Sequence, residues 1–233
     1  DHQPLFRRLQ EIRRRDKNAT RLPSDGGGRC LIVDLNGDKM LDIVFCNFIH
    51  NYTVHVDAII YWGTPDGYTP RHRTRLPTLL GSGVAAADFN QDGFIDLAFS
   101  NRGGEHGETY GFHHHMESYI YWNGPLGFST QRRSTIASVS AINCAAGDVD
   151  GAGYPELLFV NNNSKHKSVY LYWGGKAGFS EQRRDVLAGG DPFDAHFVDL
   201  NHDRKLDLVL SHSDNRVQVY HYDGRKISAE PAL

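Results

Sequence analysis

The sequence predicts an all-β protein, a β-propeller built from four-stranded antiparallel blades. Three observations carry this. An acidic nine-residue loop recurs four times, each copy sits between the same short strands, and 24 glycines and 9 prolines punctuate the 233 residues. Self-similarity at a period of tens of residues is the mark of a repeat architecture.

The loop runs Asp34–Asp42 (DLNGDKMLD), Asp88–Asp96 (DFNQDGFID) and Asp199–Asp207 (DLNHDRKLD), with a weaker copy at Asp148–Glu156 (DVDGAGYPE). First aspartates are 54, 60 and 51 residues apart. A short β-rich segment precedes each loop, such as Cys30–Val33 or Ala195–Val198. An apolar strand follows, usually ending in Asn: Ile43–Asn47, Leu97–Asn101 and Leu157–Asn161. The third strand has an aromatic end, at Tyr61-Trp62, Tyr121-Trp122 and Tyr172-Trp173, weakened to Tyr220-His221-Tyr222 in the last copy. A turn into Gly67-Tyr68, Gly127-Phe128 or Gly178-Phe179 opens a fourth, polar, Arg-containing strand. Trp62, Trp122 and Trp173 hold one place in their three repeats and read as blade-packing residues.

The expected organisation is one propeller, or propeller fragment, over residues 1–233, with repeats at 28–81, 82–141, 142–192 and 193–233. Residues 1–27 read as the outer strand of a preceding blade. If Phe6 matches Phe128, this segment carries eight residues more than its equivalents, in a loop between strand four and the next strand one. Further blades or a second copy would then complete the ring. A closed four-bladed ring is permitted by geometry but leaves the outer strand unexplained.

Oxygen-bearing side chains at loop positions 1, 3, 5 and 9, with a main-chain carbonyl at 7, suit Ca²⁺. This hard cation takes six to eight oxygens in forgiving geometry. Three sets are complete: Asp34, Asn36, Asp38, Met40 and Asp42; Asp88, Asn90, Asp92, Phe94 and Asp96; and Asp199, Asn201, Asp203, Lys205 and Asp207. Met40, Phe94 and Lys205 would offer carbonyls. The third copy keeps Asp148, Asp150 and Glu156 but has Ala152 at position 5, and is expected to bind weakly. Plain polar turns are the competing reading. Converging carboxylates without a cation would repel, which favours the metal.

From the aromatic after glycine to the next first aspartate is 20 residues in every repeat, whereas the reverse distance varies as 34, 40 and 31. The variation lies between strands two and three, at 48–56 and 102–117. In an up-and-down blade these loops share the face opposite the acidic loops, and one-sided length variation marks a binding face. Its candidate ligand contacts are His50, Tyr52, His55, His106, Tyr110 and His113, groups suited to sugar stacking and hydrogen bonding. The same imidazoles leave a transition-metal site or acid–base catalysis open.

The formal charge of −3 hides an asymmetry. Twelve of 28 acids sit in the four loops, and the 16 others face 25 Lys and Arg, a surplus of nine positive charges. The arginines form no continuous stripe, so nucleic acid is not an expected partner. No run of 18 apolar residues is present to insert in a membrane. The N-terminal Asp1-His2-Gln3 reads as a mature or trimmed start. Cys30 and Cys46 are equidistant from Asp38 and admit either a bridge or two buried thiols. Asn18, Asn51 and Asn162 open N-x-S/T triplets, common by chance.

On the DxNxDxxxD loops, the Asn-ending second strands and the Gly-Phe turns, the chain resembles the FG-GAP, or VCBS, repeat propellers. These include integrin α-type and lectin-type members. The resemblance implies calcium in the strand one–two hairpins, partners or sugars on the opposite face, and seven or eight blades, of which four are present. The expected function is a secreted or cell-surface recognition module for a glycan or extracellular protein. No GxSxG, HExxH or Walker motif argues for catalysis. A polysaccharide lyase or hydrolase using His and Tyr of the insertion face is the alternative.

Overall fold

A computed structural model describes residues 19–48, 55–102, 116–162, 167–188, 190–222 and 227–229. Among these residues, sixteen strands form four four-stranded antiparallel sheets, each in sequence order. The first holds β1 (Gly27–Val33), β2 (Asp42–Asn47), β3 (His55–Tyr61) and β4 (Arg73–Leu79). The second holds β5 (Gly81–Ala87), β6 (Asp96–Asn101), β7 (Met116–Tyr121) and β8 (Arg133–Ser138). The third holds β9 (Ala141–Gly147), β10 (Glu156–Asn162), β11 (Lys167–Tyr172) and β12 (Arg184–Ala188). The fourth holds β13 (Pro192–Val198), β14 (Asp207–His212), β15 (Val217–Tyr222) and β16 (Ile227–Ala229). The propeller-type fold class read from the sequence is the fold observed, with the sheets as blades one to four.

The core lies between blades. Val44, Cys46, Ala58 and Ile60 of blade one meet Leu97, Phe99, Tyr119 and Tyr121 of blade two. Ala98, Ile120 and Ile136 of blade two meet Leu157, Phe159 and Tyr172 of blade three, and a third cluster joins blades three and four. Both faces of a middle blade are thus covered, so β6 and β10 are apolar without alternation. The inner strands approach closely. A Cβ on Gly83 of β5 would lie 2.6 Å from Asn143 Oδ1 of β9, so only glycine fits there.

Two polar latches repeat across the interfaces. The Tyr121 hydroxyl at the end of β7 donates to the Pro77 carbonyl of the preceding outer strand at 2.5 Å, and Tyr172 donates to Ala137 at 2.6 Å. Asn101, closing β6, and Asn161, next to last in β10, accept the N–H groups of Leu79 and Val139 at 3.1 and 2.8 Å. Within blades, the Trp62, Trp122 and Trp173 indoles donate to Thr74, Ser134 and Asp185 on the outer strands. Arginine guanidinium groups stack at 4.1 Å over Tyr119 and Tyr170, which places Arg133 and Arg184 in structural contacts.

The cysteines depart from expectation. The β1–β2 register pairs Cys30 with Phe45, so Cys30 and Cys46 lie on opposite faces. All three cysteines are free, with Cys30 exposed and Cys46 and Cys144 buried. Burial pushes the Cys144 thiol up to about 12.

Candidate functional site

Each acidic loop caps the hairpin between the first two strands of its blade. Left-handed backbone at loop positions 4 and 6 folds it: Gly37 and Lys39, Gln91 and Gly93, Gly151 and Gly153, His202 and Arg204. The position-1 aspartate holds this conformation. Asp34 accepts Gly37 and Lys39 N–H at 2.8 Å each, and Asp199 accepts Asp203 and Arg204 N–H at 3.1 and 3.0 Å. Positions 3 and 5 bond to each other, as from Asn36 Nδ2 to Asp38 Oδ2 at 3.0 Å and from Asn90 Nδ2 to Asp92 Oδ2 at 3.1 Å. Asn201 and Asp203 repeat this at 3.2 Å.

The position-9 acid does something the sequence did not reveal. Asp42, Asp96, Glu156 and Asp207 are at most 2 % exposed. Asp42 accepts Leu35 N–H at 2.9 Å and Gly63 N–H at 2.8 Å, tying its loop to the chain leaving β3. Asp96 does so with Phe89 and Asn123, and Glu156 with Val149 and Gly174. In blade four the second partner is His221 Nδ1, 2.7 Å from Asp207 Oδ1. Burial pushes the Asp42 carboxyl up, and those of Asp96 and Glu156 up to about 7, against the opposing pull of these N–H groups.

The third loop differs in arrangement. Among the described residues, Asp148, Asp150 and Glu156 form the group of three acids whose oxygens lie within 4.8 Å of one another. Asp148 Oδ2 accepts Gly153 N–H at 3.0 Å, while Asp148 Oδ1 is buried and has no hydrogen-bond partner. In the other loops that oxygen accepts a backbone N–H. With Ala152 in place of the position-5 aspartate, the third loop holds a convergent set with one uncommitted oxygen.

At the other end of the strands lies the axial mouth. Gly28 and Arg29, Ser82 and Ile142 begin the first three inner strands. Phe48 and Arg102 follow the second strands, Asn162 ends β10, and Asp191, Phe193 and Ser213 come from blade four. All sit away from the acidic loops, around a cavity of about 370 Å³. Arg102 lies over the Phe48 ring at 5.5 Å, Arg29 pairs with Asp194 at 3.0 Å, and Phe193 is 52 % exposed. Asn162 donates to Asp191 and to the Pro192 carbonyl at 2.9 Å each, which commits its amide to the rim.

Of the predicted ligand contacts, His55 is described. It lines a separate cavity with Asp25, Asp57 and Arg75, outside the axial mouth. His50, Tyr52, His106, Tyr110 and His113 lie outside the described residues. Phe48, Arg102 and Phe193 were missed. The first two immediately follow strand-two asparagines, a place the repeat pattern marks.

A family model described as FG-GAP-like repeat matches residues 24–99 and 148–210, more than half of the chain. The chain belongs to the FG-GAP-like repeat family. The FG-GAP matches contain the loops of blades one, two, three and four alike. Cartilage acidic protein 1 of Xenopus tropicalis is 27 % identical over 149 residues, 59 % of this chain and 22 % of that protein. The FG-GAP chain thus spans under a quarter of that relative's length. No helix among the described residues is long and apolar enough to cross a membrane.

Proposed function

We propose that the chain is a calcium-stabilised extracellular recognition module that takes a glycan or protein ligand at the axial mouth. The observation that carries this reading is the mouth itself. An open cavity of about 370 Å³ joins an exposed phenylalanine, a second phenylalanine under an arginine, and polar groups of all four blades. Concave sites with aromatic walls and a few convergent polar groups are the usual form of ligand pockets.

The loop residues fit calcium. Their donors are carboxylate, amide and carbonyl oxygens, the set this ion prefers. Asp148 Oδ1, buried without a partner beside two further carboxylates, is the atom a cation would satisfy. Asp148, Asp150 and Glu156 would hold the ion in blade three, and the equivalent acids elsewhere would do so by exchanging bonds to their own backbone. Bound calcium would supply positive charge that neutralises the hairpin tips. At ten- to a hundredfold excess over Kd it stabilises the fold by about 1.4–2.7 kcal/mol per site. Extracellular calcium concentrations suit such loops, which also supports an exported protein.

Calorimetric titration with Ca²⁺ in chelator-stripped buffer is expected to show saturable binding, lost from blade three in Asp148→Asn. Absence of any heat and of any thermal shift would sink the metal reading. A glycan and extracellular-protein array, probed with the native chain and with Phe193→Ala/Arg102→Ala, tests the mouth. Binding should fall by about tenfold or more in the variant. Equal binding by both would place the ligand elsewhere.

A further inference from the structure

The segment before β1 carries three marks of an outer strand, each at the spacing found in later blades. Thr20 stands 14 residues before Asp34, as Thr74, Ser134 and Asp185 stand before Asp88, Asp148 and Asp199. Those three residues accept indole N–H groups from Trp62, Trp122 and Trp173 of their own blades. Pro23 stands 11 residues before Asp34, as Pro77 and Ala137 stand before theirs, and its carbonyl accepts the Tyr61 hydroxyl. Asp25 stands nine before, like Leu79 and Val139, and its N–H donates to Asn47 Oδ1 at 3.3 Å. Thr20-Arg21-Leu22-Pro23 even repeats Thr74-Arg75-Leu76-Pro77. The match from Thr20 to Asp34 needs no gap, so any extra residues relative to Phe6 precede Thr20.

Blade one also presents the matching face. Ile43, Phe45, Ile59 and Tyr61 are its counterparts of Leu97, Phe99, Tyr119 and Tyr121, the side of blade two that packs on blade one. Phe45 meets Tyr61 edge-on at 6.1 Å, as Phe99 meets Tyr121 at 5.9 Å and Phe159 meets Tyr172 at 6.2 Å. Ile59 and Tyr61 are fully buried, but Ile43 and Phe45 are only half-buried where Leu97 and Phe99 are fully buried, and Ile32 beside them is 57 % exposed. An aromatic docking face is built and its facing sheet is not among the described residues.

We infer that residues 20–25 are the fourth strand of a further blade, whose three inner strands stack on this face of blade one. In an up-and-down blade strands one to three precede strand four in the chain, so the occupant is a further repeat N-terminal to Thr20. From the start of β1, β5 or β9 to the indole acceptor takes 47, 53 or 44 residues, the length such a repeat needs before Thr20. The third strand of that repeat ends in an indole donor for Thr20.

The repeat itself supplies the probe. A copy of residues 27–73 is fused directly before Thr20 in place of residues 1–19, so that Thr20 falls where Thr74 follows Arg73. The urea midpoint is expected to rise, amides of Arg21 and Asp25 to gain protection from hydrogen exchange, and Thr20→Val to cancel part of the rise. In the unfused chain, Phe45→Ala should lower the midpoint less than Phe99→Ala does, and in the fusion the two losses should converge. A fused segment that is digested by protease with no change in midpoint would overturn the inference. So would equal costs of Phe45→Ala and Phe99→Ala in the unfused chain. Sedimentation of the unfused chain as a dimer, abolished by Ile32→Asp, would assign the face to a second copy instead.

Discussion

Blades one to three and blade four are built on one pattern but fastened differently. The ladder places Tyr220 of β15 opposite Leu208, as Tyr61, Tyr121 and Tyr172 stand opposite Ile43, Leu97 and Leu157. Its hydroxyl, however, donates to Gln218 at 3.3 Å within its own strand, and not to the outer strand of blade three. The arginine paired with each earlier tyrosine, Arg73, Arg133 or Arg184, becomes Ala229. The asparagine closing strand two becomes His212, which is 6 % exposed with neither ring nitrogen hydrogen-bonded. Apolar contact with blade three persists, and the polar bonds across this seam come from other groups, from Asn162 and Lys167 to Asp191, so that among the described residues the tyrosine and asparagine latches join only the first three blades. The lesson is that docking and fastening are separable in one repeat.

Substitutions can break or sharpen that contrast. The largest effect is expected at Asn101, which accepts Leu79 N–H and donates to the Glu117 carbonyl at 2.8 Å. Asn101→Ala strands both groups and should cost about 2–3 kcal/mol in urea unfolding. Removal of the latch hydroxyl in Tyr121→Phe should cost about 1 kcal/mol, and Tyr220→Phe under about 0.5 kcal/mol. Equal losses would show that blade four is latched after all. His212→Asn restores the missing group and should raise stability by about 1 kcal/mol, with slower amide exchange across β13 and β14 as the specific readout. The smallest gain is expected at the fourth loop, where His202 and Arg204 hold left-handed backbone at φ 63° and 69° without a glycine. Arg204→Gly should add about 1 kcal/mol or less, while Gly153→Ala in the third loop, at φ 84°, should lose a similar amount.

How far the sequence showed all this follows from distance along the chain. The loops and blades were legible because each is local: acids at alternate positions, an apolar run, then an aromatic pair. The recurring Asn marks a strand end in the sequence, but its partner lies 22 residues away in another blade, and spacing alone does not expose such a bond. The position-9 acid looked like one more loop ligand, whereas the fold buries it as a clamp on the next hairpin. Symmetry misled at Cys30 and Cys46. Equal spacing from Asp38 assumes the loop is centred there, and a ladder displaced by one residue turns the two thiols to opposite sides. The axial mouth was invisible because it gathers single residues from nine places in the chain.

Every latching tyrosine reaches back to a strand made before it. Pro23 waits 38 residues for Tyr61, Pro77 waits 44 for Tyr121, and Ala137 waits 35 for Tyr172. During synthesis each seam therefore closes only after the following hairpin has left the ribosome, so assembly runs in one direction with a lag of a single repeat.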